Sequence, residues 1–282
     1  MRSMIQDIFP STLKNEYKDY KMRDEDSVLV FSDEGKLIAG NAEGRMQFFT
    51  GSGFRDKDSV YLFSVDDRRF FLLTDDSEST EKYVKDNFSG YEMREIRDRF
   101  AGQDDIHIFV AFTAYHLWKW YSDNRYCGRC GKPLAPDTKE RALRCPDCGN
   151  MIYPRINPAV IVGVTRGDTI LLTRYRRGYQ HNALIAGFTE IGETLEETVK
   201  REVMEETGVP VKNIRYYKSQ PWGMAQDILV GFFCDAEEGS GIHMDENELK
   251  YAEWVRREDI VLQPNNLSLT NEMMHVFREG LV

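Results

Sequence analysis

The sequence predicts an α/β protein built from consecutive parts, and three patterns support that prediction. Short apolar runs alternate with polar turns over the N-terminal third, which is typical of a small, mainly β domain. Two cysteine pairs follow at the spacing of a zinc ribbon. A helix signal rich in carboxylates then lies among strand-like runs. We therefore expect an N-terminal domain over 1–103, a connecting helix over 104–122, a ribbon over 123–152 and an α/β domain over 153–282.

Composition excludes several classes of protein. The chain has 282 residues, of which 47 are acidic and 37 are basic, giving a formal net charge of -10. Its surface as a whole therefore does not attract nucleic acid or an anionic membrane. Residues 1–10 lack a basic segment with a long apolar run, and no stretch approaches the roughly 18 apolar residues of a membrane span. We expect a cytoplasmic protein without a membrane partner.

The first two parts are predicted from apolar patterning. Strand-like runs cover 27–31, 60–64 and 70–74, and no catalytic constellation accompanies them. Apolar and aromatic residues recur at helical spacing from about Asp104 to Ser122. We expect these aromatics, and also His107 and His116, to pack between domains rather than to bind a ligand.

Four cysteines predict a structural zinc site. Cys127 and Cys130 form one Cys-x-x-Cys-Gly unit, and Cys145 and Cys148 form another. Two residues between thiolates let both reach one tetrahedral ion, and four thiolates leave no open position for water or substrate. The fifth cysteine, Cys234, lies in a strand-like run and is expected to be a small buried apolar residue.

The ribbon has a second interpretation as a nucleic-acid contact. Lys139, Arg141 and Arg144 lie between or beside the cysteine pairs and could touch phosphates. In an acidic chain this basic group is small, so the structural interpretation is favoured.

The residues of 187–209 predict a helix that binds divalent metal. Thr194 and Glu197 form a capping-box signature and Gly208 is a helix stop, which predicts a helix over 195–207. At about 100° per residue, the carboxylates of Glu202, Glu205 and Glu206 fall on an arc that overlaps and borders the apolar stripe. Clustered carboxylates repel one another unless cations neutralise them, and oxygen ligands select Mg²⁺ or Mn²⁺.

These residues resemble the Nudix box at every fixed position. The pattern is Gly187, five residues, Glu193, seven residues, Arg201-Glu202, an apolar residue, any residue, Glu205-Glu206, any residue, Gly208 and an apolar residue. The resemblance implies an α/β/α sandwich with a mixed sheet, preceded here by the ribbon and the mainly β domain.

The resemblance also implies roles for the residues of the box. Glu202, Glu205 and Glu206 would ligate Mg²⁺ or Mn²⁺ together with the backbone carbonyl near Gly187, and Glu193 would pair with Arg201 to brace loop and helix. A general base is also needed, either a box glutamate or a carboxylate from another loop. Glu248, just before the strand-like run 251–255, is our candidate for that loop and for a metal ligand, although its acidic segment is equally typical of a solvated turn.

The wider chain resembles the bacterial NADH pyrophosphatase family. The likeness rests on the ribbon, the segment 153–158, the box and Ser219-Gln-Pro-Trp222. It implies hydrolysis of NAD(H) to nicotinamide mononucleotide and AMP, removal of NAD caps from RNA by some members, and a homodimer. By this likeness Tyr153, Phe188, Gln220 and Trp222 are candidate substrate contacts, although each aromatic could also be part of the core.

One segment departs from that family. After Trp222 the usual Pro-Phe-Pro-x-Ser is replaced by Gly223-Met-Ala-Gln-Asp227. Stiff residues and one aromatic are lost there, which leaves ADP-ribose and diadenosine polyphosphates open as substrates. A Nudix scaffold that only senses a nucleotide is a further alternative, against which the intact set of carboxylates argues.

Overall fold

The computed structural model describes residues 4–42, 45–74, 77–96, 105–178, 180–264 and 267–282. The chain forms two compact units. The first comprises Asp7–Arg155 and Gly223–Ala225, and the second comprises Met1–Gln6, Ile156–Trp222 and Gln226–Val282. Among the described residues, no helix has the length and apolar character needed to cross a membrane.

The first unit is built on a sheet whose strands are short and joined by turns. The strands are β1 (Leu13–Lys14), β2 (Ser27–Phe31), β3 (Leu37–Ala42), β4 (Arg45–Gln47), β5 (Phe49–Thr50), β6 (Ser59–Val65), β7 (Arg68–Leu73) and β8 (Tyr91–Arg94). Their order is β1-β6-β7-β2-β3-β4, with β5 paired to β2 and β8 paired to β3. Strands β2 and β7 run parallel, whereas β6 and β7 form an antiparallel hairpin. The prediction of a mainly β N-terminal domain is confirmed.

Two helices accompany this sheet, α1 (Ser77–Asn87) and α2 (Asp105–Asp123). Residue 104, the first of the predicted connecting helix, lies outside the described residues. Phe109, Phe112 and Trp120 of α2 are buried. The burial of these three aromatic residues is as expected for packing residues rather than ligand contacts.

The ribbon follows α2 and carries three very short strands, β9 (Ala135–Pro136), β10 (Leu143–Arg144) and β11 (Met151–Ile152), in the order β11-β10-β9. Both pairings are antiparallel. With so little regular structure and few apolar residues, this segment needs another source of stability, which its cysteines can supply.

The second unit contains a mixed sheet. Its elements are β12 (Asn157–Arg166), β13 (Thr169–Tyr175), β14 (Ile185–Phe188), α3 (Leu195–Thr207), β15 (Val211–Trp222), β16 (Asp227–Ala236), β17 (Leu249–Arg256) and α4 (Leu269–Arg278). The strand order is β15-β16-β12-β13-β17, with β14 paired to β12. Strands β12 and β16 are parallel, and the neighbouring pairs are antiparallel.

Each face of this sheet is covered by one helix. Val199 and Val203 of α3 pack with Val160 and Val162 of β12. Met273 of α4 belongs to the opposite cluster with alternate β12 residues, among them Ile161. Because alternate residues of a strand point to opposite faces, this confirms the α/β/α sandwich. Cys234, completely buried in the α3 cluster, is the apolar residue that the sequence predicts.

Candidate active site

Helix α3 begins and ends where the sequence predicts. The Thr194 side chain accepts a hydrogen bond from the backbone N–H of Glu197, the Glu197 carboxylate accepts one from the backbone N–H of Thr194, and Gly208 ends the helix at φ 66°. The buried face carries Val199 and Val203, so the helix is held in a fixed rotation against the sheet. That rotation decides which of its carboxylates face the interior.

Glu193 and Arg201 form a brace at the start of the helix. Arg201 Nε donates to Glu193 Oε1 at 2.5 Å and Nη2 donates to Oε2 at 2.9 Å, a paired geometry that fixes both side chains. Arg201 Nη2 also donates to the Phe188 carbonyl at 2.9 Å. The arginine lowers the pKa of Glu193 to about 2, so this carboxylate stays ionised. The brace thereby ties β14 and the loop before α3 to the helix.

Glu206 is the most deeply buried carboxylate of the site. Only 3% of the residue is exposed, and its Oε2 has no hydrogen-bond partner among the described residues. Burial, followed by the negative charges of Glu202 and Glu248, raises its pKa to about 8. A buried carboxylate oxygen without a partner costs free energy, and a cation is the partner that would offset that cost.

Glu202 lies against the backbone of β14. A Cβ atom added to Gly187 would lie only 1.9 Å from Glu202 Cδ and 2.1 and 2.2 Å from the two carboxylate oxygens. Only glycine leaves room for a carboxylate there. Burial raises the pKa of Glu202 despite the hydrogen bond of 2.7 Å that Arg201 donates to it.

Glu205 differs from the other two, contrary to the expectation that all three avoid the solvent. Its side chain is 60% exposed, and it pairs with Arg201 Nη1 at 3.0 Å. Within the described ranges, the cysteines are the only group of three or more potential ligand residues whose ligand atoms all lie within 4.8 Å of one another. The box glutamates do not converge as closely, and Arg201 pairs with both Glu202 and Glu205.

The loop that carries Glu248 is fastened to the end of α3. The backbone N–H of Asp245 donates to the Glu206 carbonyl at 2.9 Å, and that of His243 donates to Thr207 at 2.8 Å. The N–H of Arg176 donates to the Glu248 carbonyl at 2.8 Å, which links the loop to β13. Glu248 therefore comes near the box glutamates, and its charge contributes to the raised pKa values of both Glu202 and Glu206.

Sequence reasoning missed Tyr175, which shares this environment. It is the last residue of β13, and burial together with Glu206, Glu248 and Glu202 raises the pKa of its hydroxyl. A single tyrosine in a strand-like run belongs to no motif. Its alternation with Leu171 and Thr173, both completely buried, was the only available signal.

The expected substrate contacts lie in different environments. Phe188 is 52% exposed and directly follows Gly187 on β14. Trp222 is the last residue of β15. It is partly buried and packs against the hydrophobic cluster that contains Met273 of α4. Tyr153 is also exposed, and it belongs to the first unit.

Gln220 is completely buried and its amide is fully engaged. Its Nε2 donates to Gln6 Oε1 at 3.0 Å and to the Leu267 carbonyl at 2.8 Å, and its Oε1 accepts from the N–H of Leu269 at 2.7 Å. A direct substrate contact would require breaking these bonds. In this structure Gln220 holds the start of α4.

The four cysteines of the ribbon converge as a zinc site requires. Their Sγ atoms all lie within 4.8 Å of one another. Gly131 and Gly149 adopt φ of 73° and 71°, and each donates its N–H to the first cysteine carbonyl of its pair. The backbone N–H of Arg129 lowers the pKa of the Cys127 thiol, and the backbone N–H of Cys148 lowers that of the Cys145 thiol. The arrangement favours thiolates at these two positions, and the four converging sulfurs fit a tetrahedral zinc.

The basic residues of the ribbon are used within the protein. Arg141 donates to the Asn15 side chain at 3.1 Å and to the Leu62 carbonyl, and burial lowers the pKa of its guanidinium. Arg144 pairs with Asp137 at 2.8 Å. Of the three residues considered as phosphate contacts, only Lys139 has a side chain without a hydrogen bond or ion pair among the described residues, so the other two are already engaged within the protein.

Zinc removal should destabilise the first unit. We expect Cys145→Ser to lose its zinc and to melt at a lower temperature, because a structural zinc contributes folding free energy directly. A loss of even about 2 kcal/mol would lower the melting temperature by roughly 4 to 8 °C in a chain of this size. Metal analysis and calorimetry measure both effects. Cys234→Ala is the matched control and should keep one zinc per chain; equal zinc content in both variants would contradict the assignment.

Comparison with known proteins agrees with the two sites. The NUDIX domain family matches residues 155–277, and the NADH pyrophosphatase zinc ribbon domain matches residues 122–153. A protein of Citrobacter koseri named NAD-capped RNA hydrolase NudC is 42% identical over 164 residues, which are 57% of this chain and 63% of the relative. The protein of that name from Klebsiella pneumoniae is 41% identical over 175 residues, covering 61% and 65%. The chain thus spans less than two thirds of the length of these relatives.

Among solved structures, a NUDIX hydrolase from Nitrosomonas europaea aligns with a TM-score of 0.49 at 19% identity, covering 55% of this chain and 91% of that one.

The sandwich with its carboxylate-bearing helix α3 and complete box makes the second unit a Nudix domain. A four-cysteine ribbon that matches the NADH pyrophosphatase zinc ribbon domain precedes this Nudix domain. The chain is thus similar to proteins in which an NADH pyrophosphatase zinc ribbon domain precedes a NUDIX domain.

Proposed function

We propose that the protein is a divalent-metal-dependent enzyme that hydrolyses the pyrophosphate bond of NAD(H) to nicotinamide mononucleotide and AMP. One observation carries the proposal, the buried carboxylate of Glu206, whose Oε2 lacks a hydrogen-bond partner among the described residues and whose neighbours Glu202 and Glu248 are also acidic. A nucleotide sensor without catalysis has no use for so unfavourable a cluster.

The donor set fits Mg²⁺ or Mn²⁺. We assign Glu202, Glu205, Glu206 and Glu248 as carboxylate ligands and the Gly187 carbonyl as a further oxygen ligand, all of the hard type that these ions select. A cation held by these residues would supply Lewis-acid chemistry, offsetting the pyrophosphate charge and making the attacking water more acidic. The close approach of Glu202 to Gly187 supports this assignment, since only the absence of a Cβ there lets the Glu202 carboxylate lie beside the β14 backbone.

The chain itself supplies positioning and a proton acceptor. Glu193 and Arg201 hold β14 against α3, so the carbonyl of Gly187 and the box carboxylates keep a fixed separation. The proton of the attacking water passes to a carboxylate, for which Glu248 and the box glutamates Glu205 and Glu206 remain the candidates. Glu248 is favoured because its loop is fastened independently of the brace, by Asp245 and Arg176.

For the substrate we propose Phe188, Trp222 and Tyr153 as separate candidates to contact or stack on a base. Phe188 supports this best, because it is exposed beside Gly187. We assign Gln220 an indirect role, since its amide fixes α4. The segment after Trp222 forms a short 3-10 turn at Gly223–Ala225, in which a Cβ on Gly223 would lie 2.1 Å from the Phe112 carbonyl oxygen. A proline could not replace this glycine without moving α2 or the turn.

The second candidate is removal of NAD caps from RNA, which the name of the relatives favours. The ribbon argues against one form of it, because Arg141 and Arg144 are engaged within the protein. We expect Lys139→Glu to change the affinity for a short single-stranded RNA by less than about twofold at low salt, as one phosphate contact at most is lost. Fluorescence anisotropy measures this, and a salt-dependent loss of several-fold would restore the ribbon as an RNA grip.

Three further assignments rest on the sequence and on its resemblance to the family. We propose a homodimer, a cytoplasmic location consistent with four thiolates kept for metal, and the division into 1–103, 104–122, 123–152 and 153–282.

The decisive test compares substrates. Purified protein with Mg²⁺ or Mn²⁺ is incubated separately with NADH, NAD⁺, ADP-ribose, diadenosine tetraphosphate and an NAD-capped RNA, and products are separated by chromatography. We expect reduced nicotinamide mononucleotide and AMP from NADH at the highest kcat/KM. Faster hydrolysis of another compound would mean that the segment 223–227 has changed the substrate preference. No hydrolysis of any of the compounds would refute the proposed function.

A further inference from the structure

The end of β13 places a tyrosine hydroxyl beside the proposed metal site. Leu171 and Thr173 of β13 are completely buried, and Leu171 packs with the α3 cluster. Tyr175 follows two residues later, so its side chain points to the same face of the sheet as α3. It therefore lies on the side of the box glutamates, whereas Arg174 points to the opposite face.

An irregularity in the sheet brings Glu248 to the same place. Arg174 pairs with Tyr251, but Tyr175 pairs with Leu249, so β17 has one extra residue, Lys250, at this position. Such a bulge bends the strand and redirects its neighbouring side chains. The N–H of Arg176 then donates to the carbonyl of Glu248 at 2.8 Å. Tyr175 and Glu248 are thus held on adjacent backbone segments.

The electrostatics of the hydroxyl agree with this placement. Glu206, Glu248 and Glu202 all raise the pKa of Tyr175 beyond the effect of burial. A tyrosine hydroxyl can donate one hydrogen bond to a carboxylate. Within this acidic cluster it is a neutral donor that adds no charge to compete with a cation.

We propose that Tyr175 is a positioning residue of the metal site and that, in the metal-bound site, its hydroxyl donates a hydrogen bond that orients Glu248. The inference rests on the proposed function in assigning a divalent metal to these carboxylates. Residues that orient metal ligands from outside typically contribute about 10- to 100-fold to metal affinity or activity. Tyr175 contributes through Glu248 and touches neither substrate nor the reacting phosphorus.

Tyr175→Phe tests this, because phenylalanine keeps the ring and removes only the hydroxyl. We expect the Kd for Mn²⁺, measured by electron paramagnetic resonance of the free ion, to rise about 10-fold, and kcat for NADH to fall by a similar factor. KM for NADH should change by less than about twofold, since no substrate contact is lost. Tyr251→Phe is the matched control. It removes a hydroxyl that donates to Asn182 at 2.7 Å on the other face of the sheet, and it should leave both quantities unchanged.

A double variant separates positioning from packing. In a Glu248→Gln background, Tyr175→Phe should cause no further loss of Mn²⁺ affinity, because residues that act through one group are not additive. Wild-type Mn²⁺ affinity in Tyr175→Phe, or full additivity in the double variant, overturns the inference. The Mn²⁺ titration needs no substrate, so a failure of NADH as substrate is distinguished from a failure of Tyr175.

Discussion

Glu206→Gln should abolish turnover while leaving the fold intact. Glutamine has the same shape but loses the charge that binds a cation, and the Oε2 position of Glu206 has no protein partner to preserve among the described residues. Since even outer partners of metal ligands are worth about 10- to 100-fold, a direct ligand should cost more than about 100-fold in kcat. Steady-state hydrolysis of NADH measures the loss. Zinc content and far-UV circular dichroism should match the wild type.

The same substitution, which lowers turnover, should keep or raise the melting temperature at pH 8. In protein freed of Mg²⁺ and Mn²⁺, burial raises the Glu206 pKa from 4.5 to about 8. The folded state therefore favours the protonated form, and the wild type loses stability as pH rises from about 4.5 to 8. Glutamine does not ionise, so the variant should lack this loss and melt at or above the wild-type temperature at pH 8. A variant that melted well below the wild type at that pH would show that the carboxylate is structural.

Glu196→Gln is the matched control for both measurements. Glu196 lies in the first turn of the same helix and is exposed to solvent. Its substitution removes one charge from α3 without reaching the buried cluster, so kcat and the pH dependence of melting should stay as in the wild type. Near-wild-type turnover in Glu206→Gln instead would mean that the metal lies elsewhere.

Local signals in the sequence determined much of this site. The helix over 195–207 followed from Thr194, Glu197 and Gly208, because capping and helix termination depend on neighbours within a few residues. The four cysteines were equally readable, since zinc geometry restricts their spacing. The pairing of Glu193 with Arg201 came from the family resemblance, and the structure gives it as a double hydrogen bond.

Contacts between distant parts of the chain were not readable. Gln220 resembled a substrate contact, yet its partners are Gln6, Leu267 and Leu269, which no local pattern connects with it. The sequence placed Glu205 on the arc of α3 that borders the apolar stripe, but its side chain is 60% exposed and pairs with Arg201. The acidic segment before β17 was equally typical of a solvated turn, and only its backbone bonds to α3 and β13 bring Glu248 to the cluster.

Gly187→Ala is expected to cause the second largest loss of activity. The added Cβ would collide with the Glu202 carboxyl at 1.9 Å, so either the carboxylate must rotate away or β14 must separate from α3. Either change displaces a proposed ligand by about 1 Å, and displacements of that size can cost about 100-fold in rate. We expect kcat for NADH to fall by about that factor and the Kd for Mn²⁺ to rise in parallel.

Gly167→Ala controls for the general effect of replacing glycine. Gly167 has φ 59° and no atom within 4 Å of an added Cβ, so alanine there strains the backbone without touching Glu202. It should lower the melting temperature, because the left-handed region disfavours alanine, but leave kcat unchanged. If Gly187→Ala lost stability but kept wild-type kcat and Mn²⁺ affinity, the contact between Gly187 and Glu202 would be packing alone. The ligand set would then have to be built from Glu205, Glu206 and Glu248 without it.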